Sequence, residues 1–249
     1  MGSKIIITNA LPPMTEIWVY LSGSPLLALV LTLSAYLLGL SVYEKSQRHP
    51  LANPVLIAVI VVAVSITVLN MPYAKYFEGA QFVHFLLGTA TVALAIPIYK
   101  GFESLRSRMG VLLLALIAGG VTSIAAAVGV AKLMRVDEAL VRGLWAKSVT
   151  APIAMGVAER IHASPTLTAI FAVSTGILGA VLGRFVLNAC GIIPWWQRGF
   201  ALGVASHGIG TSRAFSVHPQ AGTYASLGMG LHGMVGAVLI PRAASFFYS

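Results

Sequence analysis

The sequence predicts an all-α polytopic membrane protein: about eight membrane segments in two related halves, with broken or re-entrant helices and an elevator-like transporter architecture. Three observations predict it. The 249 residues are 57% hydrophobic and only 9% charged, against roughly 25% charged in soluble domains, and mean hydropathy is +0.87. Apolar runs of bilayer-spanning length, about 20 residues each, recur along the chain and leave nothing over for a soluble domain, so residues 1–249 read as one membrane domain. Polar and helix-breaking residues interrupt two of those runs, at Ala146-Lys147-Ser148-Val149-Thr150-Ala151-Pro152 and near Ser206-His207. Broken backbone at membrane depth persists only where it is buried in protein or lines a water-filled cavity.

The first apolar stretch runs from about Ile17 to Tyr43, with Ser24-Pro25 near its start, and ends at the polar loop 44–50. Before it, one Lys, two prolines and a short apolar run make too weak a pattern for a cleavable signal peptide. Asn53-Pro54 opens a second helix, with proline in the first turn where its missing amide costs nothing. Val55 to Leu69 is β-branched, which is ordinary for a membrane helix. Tyr73-Ala74-Lys75-Tyr76-Phe77 reads as an interfacial belt. The third segment, Phe82 to Tyr99, carries Gly88-Thr89-Ala90-Thr91 in its middle, and a basic loop, Lys100 to Arg108, leads to a Gly/Ala-rich helix over Gly110–Lys132. Asp137-Glu138 opens the second half, with segments at about 139–161, 166–188, 197–215 and 222–246.

The halves, about 17–132 and 139–246, share landmarks in the same order. Ser24-Pro25 corresponds to Thr150-Ala151-Pro152, Asn53-Pro54 to Ser164-Pro165, Leu87-Gly88-Thr89 to Ile209-Gly210-Thr211, and Gly110 to Gly222. Repeats whose matched segments are interrupted by Gly or Pro point to a secondary transporter with inverted topology. An inverted repeat needs an odd number of crossings per half, which predicts one hairpin in each. Lys45, Arg48, Lys100, Arg106 and Arg108 place the first and third loops inside; Lys132, Arg135 and Arg142 make the fourth basic as well.

At Ala146–Ala154 and Ala205–Thr211 the sequence resembles the LrgB/CidB family, and the resemblance extends over most of the chain from Asn53 onward. It includes Thr91–Tyr99, Thr175–Ala180, Arg198-Gly199 and Ala225-Ser226-Leu227. The resemblance implies a multi-pass protein of the cell (inner) membrane, holin-like or antiholin-like, tied to murein hydrolase control and often working beside a small LrgA/CidA-type partner. Similar domains form the plastid glycolate/glycerate translocator, and bacterial relatives are associated with pyruvate uptake. This chain departs from the family pattern at Ala146, where proline is common, at Ala151, where threonine is common, and at Ser216 and Ala221, where acids are usual.

The residue chemistry favours an anionic cargo. A lysine in hydrocarbon costs about 3 kcal/mol or more, so Lys147 reads as a point charge for a substrate carboxylate that could also exchange a proton; the alternative is snorkelling to the headgroups. Ser148 and Thr150 either donate to that carboxylate or satisfy carbonyls freed by Pro152. Arg213 offers a bidentate fork or, alternatively, an interfacial charge. Ser206 and His207 belong to the family signature, and His207 could donate to substrate or carry a proton; His84 reads as packing. Helix breaks at Gly88, Pro152 and Gly208 would turn half-helix N-termini, near Thr89, Thr91, Gly210 and Thr211, toward an anion. The run Gly176-x-x-Gly179-x-x-x-Gly183 reads as close helix packing. Gly228-Met229-Gly230-Leu231-His232-Gly233 matches a dinucleotide fingerprint by letter, but without a preceding strand it reads as packing too.

Other classes are excluded. The formal charge of +9 is scattered singly between apolar runs, which argues against nucleic acid. One cysteine and six histidines without acidic neighbours give no metal spacing, no cofactor motif is present, and no nucleophile–base pair supports an enzyme. Of seven acids only Glu159 falls near a membrane segment, at an end beside Arg160. The expected function is therefore alternating-access transport of a small monocarboxylate such as glycolate, glycerate, lactate or pyruvate, by a homodimer joined through the glycine-rich last helix. The rival is a holin/antiholin-like assembly that modulates membrane permeability. Polar groups concentrated at mid-depth favour the carrier, whereas a pore needs polar stripes along whole helices.

Overall fold

The computed structural model describes residues 25–93, 96, 99, 103 and 106–248, and among these every regular element is helical. In chain order they are α1 (Pro25–Lys45), a 3-10 turn (Pro50–Ala52), α2 (Pro54–Val68), α3 (Tyr73–Ala93), α4 (Met109–Leu133), α5 (Glu138–Leu144), α6 (Ala151–Arg160), α7 (Pro165–Ala189), α8 (Trp195–Val217) and α9 (Pro219–Tyr248). Four of them, α1, α4, α7 and α9, are long and apolar enough to cross a bilayer. Among the described residues four helices meet that criterion, beside several shorter or more polar ones; parts of the first and third expected segments lie outside the described residues.

Local chemistry sets the boundaries. The Asn53 side chain accepts from the Val55 and Leu56 amides at 2.9 and 3.1 Å, with Pro54 opening α2. Ser164 caps α7 in the same way through Leu167, and Asp137 caps α5 through Ala139. Helix ends α2, α4, α6 and α7 close with a left-handed residue, at Asn70, Arg135, His162 and Gly191. In each, the next amide reaches back five residues, as in Val136 to the Ala131 carbonyl at 2.9 Å, which satisfies carbonyls that a helix end leaves open. Tyr73–Phe77, read from sequence as an interfacial belt, forms the start of α3.

The 23-residue α8 is not a rod. An unbroken helix of that length would measure about 34 Å, yet the rings of Trp195 and His218 at its two ends stack with centroids 5.0 Å apart. The backbone leaves helical geometry at Ser206 (φ −130°, ψ 15°) and His207 (φ 41°, ψ −132°), and Gly210 comes to rest against the Leu202 carbonyl. Residues 195–205 and 208–217 are therefore the antiparallel arms of a helical hairpin with its tip at 206–207. Segment 138–160 behaves similarly. Arg142 and Trp145 pack on Tyr248 at the end of α9, while Val149 and Ile153 reach Gly236 and Gly233 farther along it; α6 then returns toward the start of α7.

Neighbour contacts orient the long helices. Arg108 bonds Tyr224 at one end of α4 and Lys132 lies over the Tyr248 ring at the other, so α4 runs parallel to α9. Along α7, Gly176, Gly179 and Gly183 meet His207, Ser206 and Leu202 in turn, so α7 runs antiparallel to the first arm of α8. The two hairpins thus enter from opposite faces of the bundle. Both of these hairpins lie in the second half; parts of the first half, where the other was expected, lie outside the described residues.

The fourth loop lies on the face opposite Arg108. Its cations are offset there by Asp137 and Glu138 and by the aromatic ring of Tyr248, which sits under both Lys132 and Arg142. The main core joins Trp145, Val149, Ala154, Val157, Ala172, Ile240 and Ala244; a second joins Leu112, Leu116, Phe200, Val204 and Tyr224. Helices α1–α3 pack chiefly on one another and meet the rest at the 3-10 turn and at Tyr43 and Arg48, which bond Arg213 and Ser216.

Candidate functional site

The hairpin tips meet at α7 near the middle of the bundle. Chain segment 145–150 forms the first tip because Trp145, Ala146 and Val149 are buried and Pro152, in the first turn of α6, lacks the amide that would continue a helix from α5. Pro152 therefore opens the second arm and is not itself the break. Between the buried apolar residues sits half-buried Lys147. Its ammonium donates to Ser123 of α4 at 2.9 Å and to Ser148 at 3.2 Å, and the two hydroxyls bond each other at 2.8 Å. All described Asp and Glu residues are exposed, so this charge has hydroxyls as partners and no buried carboxylate.

Thr150 precedes α6 without capping it through its side chain, which leaves the first amides of α6 directed at the tip. At the second tip, His207 holds its strained backbone by bonding the Ala172 carbonyl through Nε2 at 2.8 Å. Ala172 also belongs to the cluster that packs Ala146, Val149 and Ala154, so one turn of α7 supports both tips. Ser206 is 1% exposed and its hydroxyl has no hydrogen-bond partner. The turn falls at Ser206 and His207, just before the expected break at Gly208, and the arm 208–217 begins there. Thr211 is buried and returns its hydroxyl to the His207 carbonyl at 2.8 Å; buried Gly210 packs against the other arm.

Two residues completing this cluster escaped sequence reasoning. Ser123 is an isolated hydroxyl in a Gly/Ala-rich helix, and His232 sits within the glycine run of α9. His232 is buried, its Nδ1 lies 2.7 Å from the Val204 carbonyl, and it is within electrostatic reach of both Lys147 and His207. A mid-span polar residue in each helix was the available signal. A cavity of about 400 Å³, lined mainly by apolar residues of α4 and the first arm of α8, extends from Trp196 and Gln197 to Ser123.

The remaining expected residues lie elsewhere. α3 passes through Gly88 as one helix, so no break occurs there; a single glycine costs a helix only about 1 kcal/mol relative to alanine. Thr89 is exposed and bonds the Leu86 carbonyl at 2.8 Å, while the side chains of His84 and Thr91 and residues Leu94, Ala95, Pro97, Ile98 and Lys100 lie outside the described set. Arg213 is at the open end of the second hairpin, over the Tyr43 ring, away from the tips. No cluster of three potential metal ligands occurs among the described residues.

A half-buried ammonium, hydroxyl donors and two half-helix N-termini carrying partial positive charge converge without a compensating carboxylate. Sequence comparison finds similar chains in bacteria. The LrgB-like family model matches residues 32–246. The uncharacterised protein YwbG of Bacillus subtilis is 34% identical over 224 residues, covering 90% of this chain and 97% of that protein. The holin-like protein CidB of Staphylococcus epidermidis is 28% identical over 222 residues, 89% of this chain and 96% of its own, and that of Staphylococcus aureus is 26% identical over 223 residues. No solved structure matches the chain.

Proposed function

Because the chain belongs to the LrgB-like family, a family of membrane-integral proteins, we propose that it is a carrier of small monocarboxylates. The observation that supports this best is Lys147, an ammonium at the tip of a membrane hairpin whose partners are Ser123 and Ser148 and no carboxylate. A charge kept at such a cost is expected where a mobile anion supplies the counter-charge. The substrate carboxylate meets Lys147, Ser148 and the start of α6, with Thr150 and the tip residues Ser206 and His207 closing the opposite side. Size and charge fit glycolate, glycerate, lactate or pyruvate. In an elevator reading, α4–α9 move as one body against α1–α3, with the join at Tyr43, Arg48 and Arg213 as the sliding contact.

The names of the relatives favour a second reading more directly: a holin-like protein that alters membrane permeability, working with a small partner of the LrgA/CidA type. The two separate in proteoliposomes. Counterflow of labelled glycolate, lactate and pyruvate that saturates, and that disappears in Lys147→Ala, supports the carrier. Release of an unrelated encapsulated dye that the substitution leaves unchanged refutes it and supports the permeability reading.

A further inference from the structure

A second basic cavity lies at the other end of the α8 hairpin. It measures about 370 Å³ and is lined by Arg184 and Asn188 of α7, Trp195 and Arg198 of the first arm, and Arg213 of the second. That volume is within the range of ligand pockets, about 300–1,000 Å³. The guanidinium groups are held in place by neutral partners. Arg198 donates to the Ile192 carbonyl at 2.7 Å and the Arg184 carbonyl at 3.5 Å, and lies over the Trp195 ring. Arg213 donates to the Arg48 carbonyl at 3.3 Å and to the Tyr43 hydroxyl. No acidic residue lines the cavity.

The cavity is sited at the bundle boundary. The same stretch of α7 exposes Leu182, Phe185 and Val186 beside exposed Arg184, and exposed Ile193 follows in the turn; this is a surface that acyl chains cover. Arginine forks match the oxygens of a phosphate bidentately, tryptophan favours the headgroup level, and basic pockets between membrane helices recognise anionic headgroups.

We propose that this cavity binds a phosphate group, supplied in the membrane by the headgroup of an anionic phospholipid, and that the bound phosphate ties the open end of the α8 hairpin to α7. Three arginines around one cavity repel one another until an anion enters, so occupancy stabilises the hairpin's base while its tip stays free to work. The site shares no residue with the Lys147 tip, and Lys147→Ala leaves it intact; Arg213 is the one residue it has in common with the proposed sliding contact.

The test uses the full chain in detergent, with dioleoylphosphatidylglycerol, dioleoylphosphatidylcholine, inorganic phosphate and acetate as probes. Native mass spectrometry counts retained lipid and thermal unfolding reads protection. Phosphatidylglycerol is expected to be retained over phosphatidylcholine and to raise the unfolding temperature. Arg184→Gln, an exposed position, is expected to weaken that retention about tenfold or more, the weight of a charge-assisted hydrogen bond, and Arg184→Lys to weaken it less. Protection by inorganic phosphate with no added effect of phosphatidylglycerol supports the same chemistry with a free anion as its source. Equal retention of both lipids, undiminished retention in Arg184→Gln, or protection by acetate equal to that of phosphate overturns the proposal.

Discussion

Gly176→Ala tests whether the α8 hairpin is seated on α7 as tightly as the geometry requires. A methyl built at Gly176 lies 2.8 Å from His207 Cε1 and 2.9 Å from both His207 Nε2 and Ile209 Cδ1. Carbon atoms prefer about 3.5–4.0 Å, so the first contact is short by roughly 0.7–1.2 Å. The imidazole has little freedom to withdraw, because Nε2 is bonded to the Ala172 carbonyl one turn away on the same helix. If the whole tip shifts, the overpacking costs about 1–3 kcal/mol. If the ring rotates instead, leaving its buried Nε2 unpaired costs about 1–3 kcal/mol. Gly129→Ala in α4 is the matched control: nothing lies within 4 Å of its added methyl, and replacing a mid-helix glycine gains about 0.5–1 kcal/mol. Both variants are unfolded side by side in mixed micelles, followed by the fluorescence of Trp195 and Trp196 at the hairpin base. Destabilisation confined to Gly176→Ala is expected. Equal stability of the two variants would refute the seating of His207 against α7.

Two further substitutions probe separate contacts. Asn53→Ala removes the cap of α2 and is expected to cost about 1 kcal/mol, read from the same unfolding assay, whereas a change at exposed Thr89 is expected to be neutral. Ser123→Ala removes one of the two hydroxyls on Lys147 and is expected to raise the KM for carboxylate uptake several-fold while dye retention stays intact; an unchanged KM would remove Ser123 from the site.

Much of this arrangement was legible in the sequence because membrane insertion makes interruptions conspicuous. Lys147 and Pro152 in one run and Ser206-His207-Gly208 in another marked both hairpin tips, and the spacing of Gly176, Gly179 and Gly183 marked the groove that receives the second. Three features were not legible. The fold-back of α8 depends on a histidine with positive φ, a conformation with no sequence signature of its own. Gly88 resembled Gly210 by letter, but one glycine does not outweigh the backbone hydrogen bonds of α3, and Thr89 supplies no competing break. Ser123 and His232 join the site only through the crossing of α4 and α9 behind the tips, a relation no linear spacing encodes. The Gly228–Gly233 run does pack closely, Gly228 on the Phe200 carbonyl and Gly233 on Ile153, yet the histidine inside it faces the site.

Lys147 also decides whether the tips are built for stability or for binding. If the ammonium served only to join Ser123 and Ser148, replacing it with methionine would leave two hydroxyls that still bond each other at 2.8 Å, with a side chain of similar length in the same space. Against the loss of two charge-assisted bonds, about 1.5–3 kcal/mol each at most, stands the cost of holding a charge in a low-dielectric interior, about 3 kcal/mol or more. The negative end of α5 and the positive end of α6 both meet this tip and offset one another. For an empty site the two sides nearly cancel, and with an anion bound the balance favours lysine. Lys147→Met is therefore expected to unfold at nearly the same denaturant as the parent in the absence of carboxylate, to lose the protection that added carboxylate gives the parent, and to lose uptake. Such separation of activity from stability is the signature of a binding charge. A clear loss of stability in Lys147→Met without any ligand would instead make the lysine a structural tie between α4 and the first hairpin.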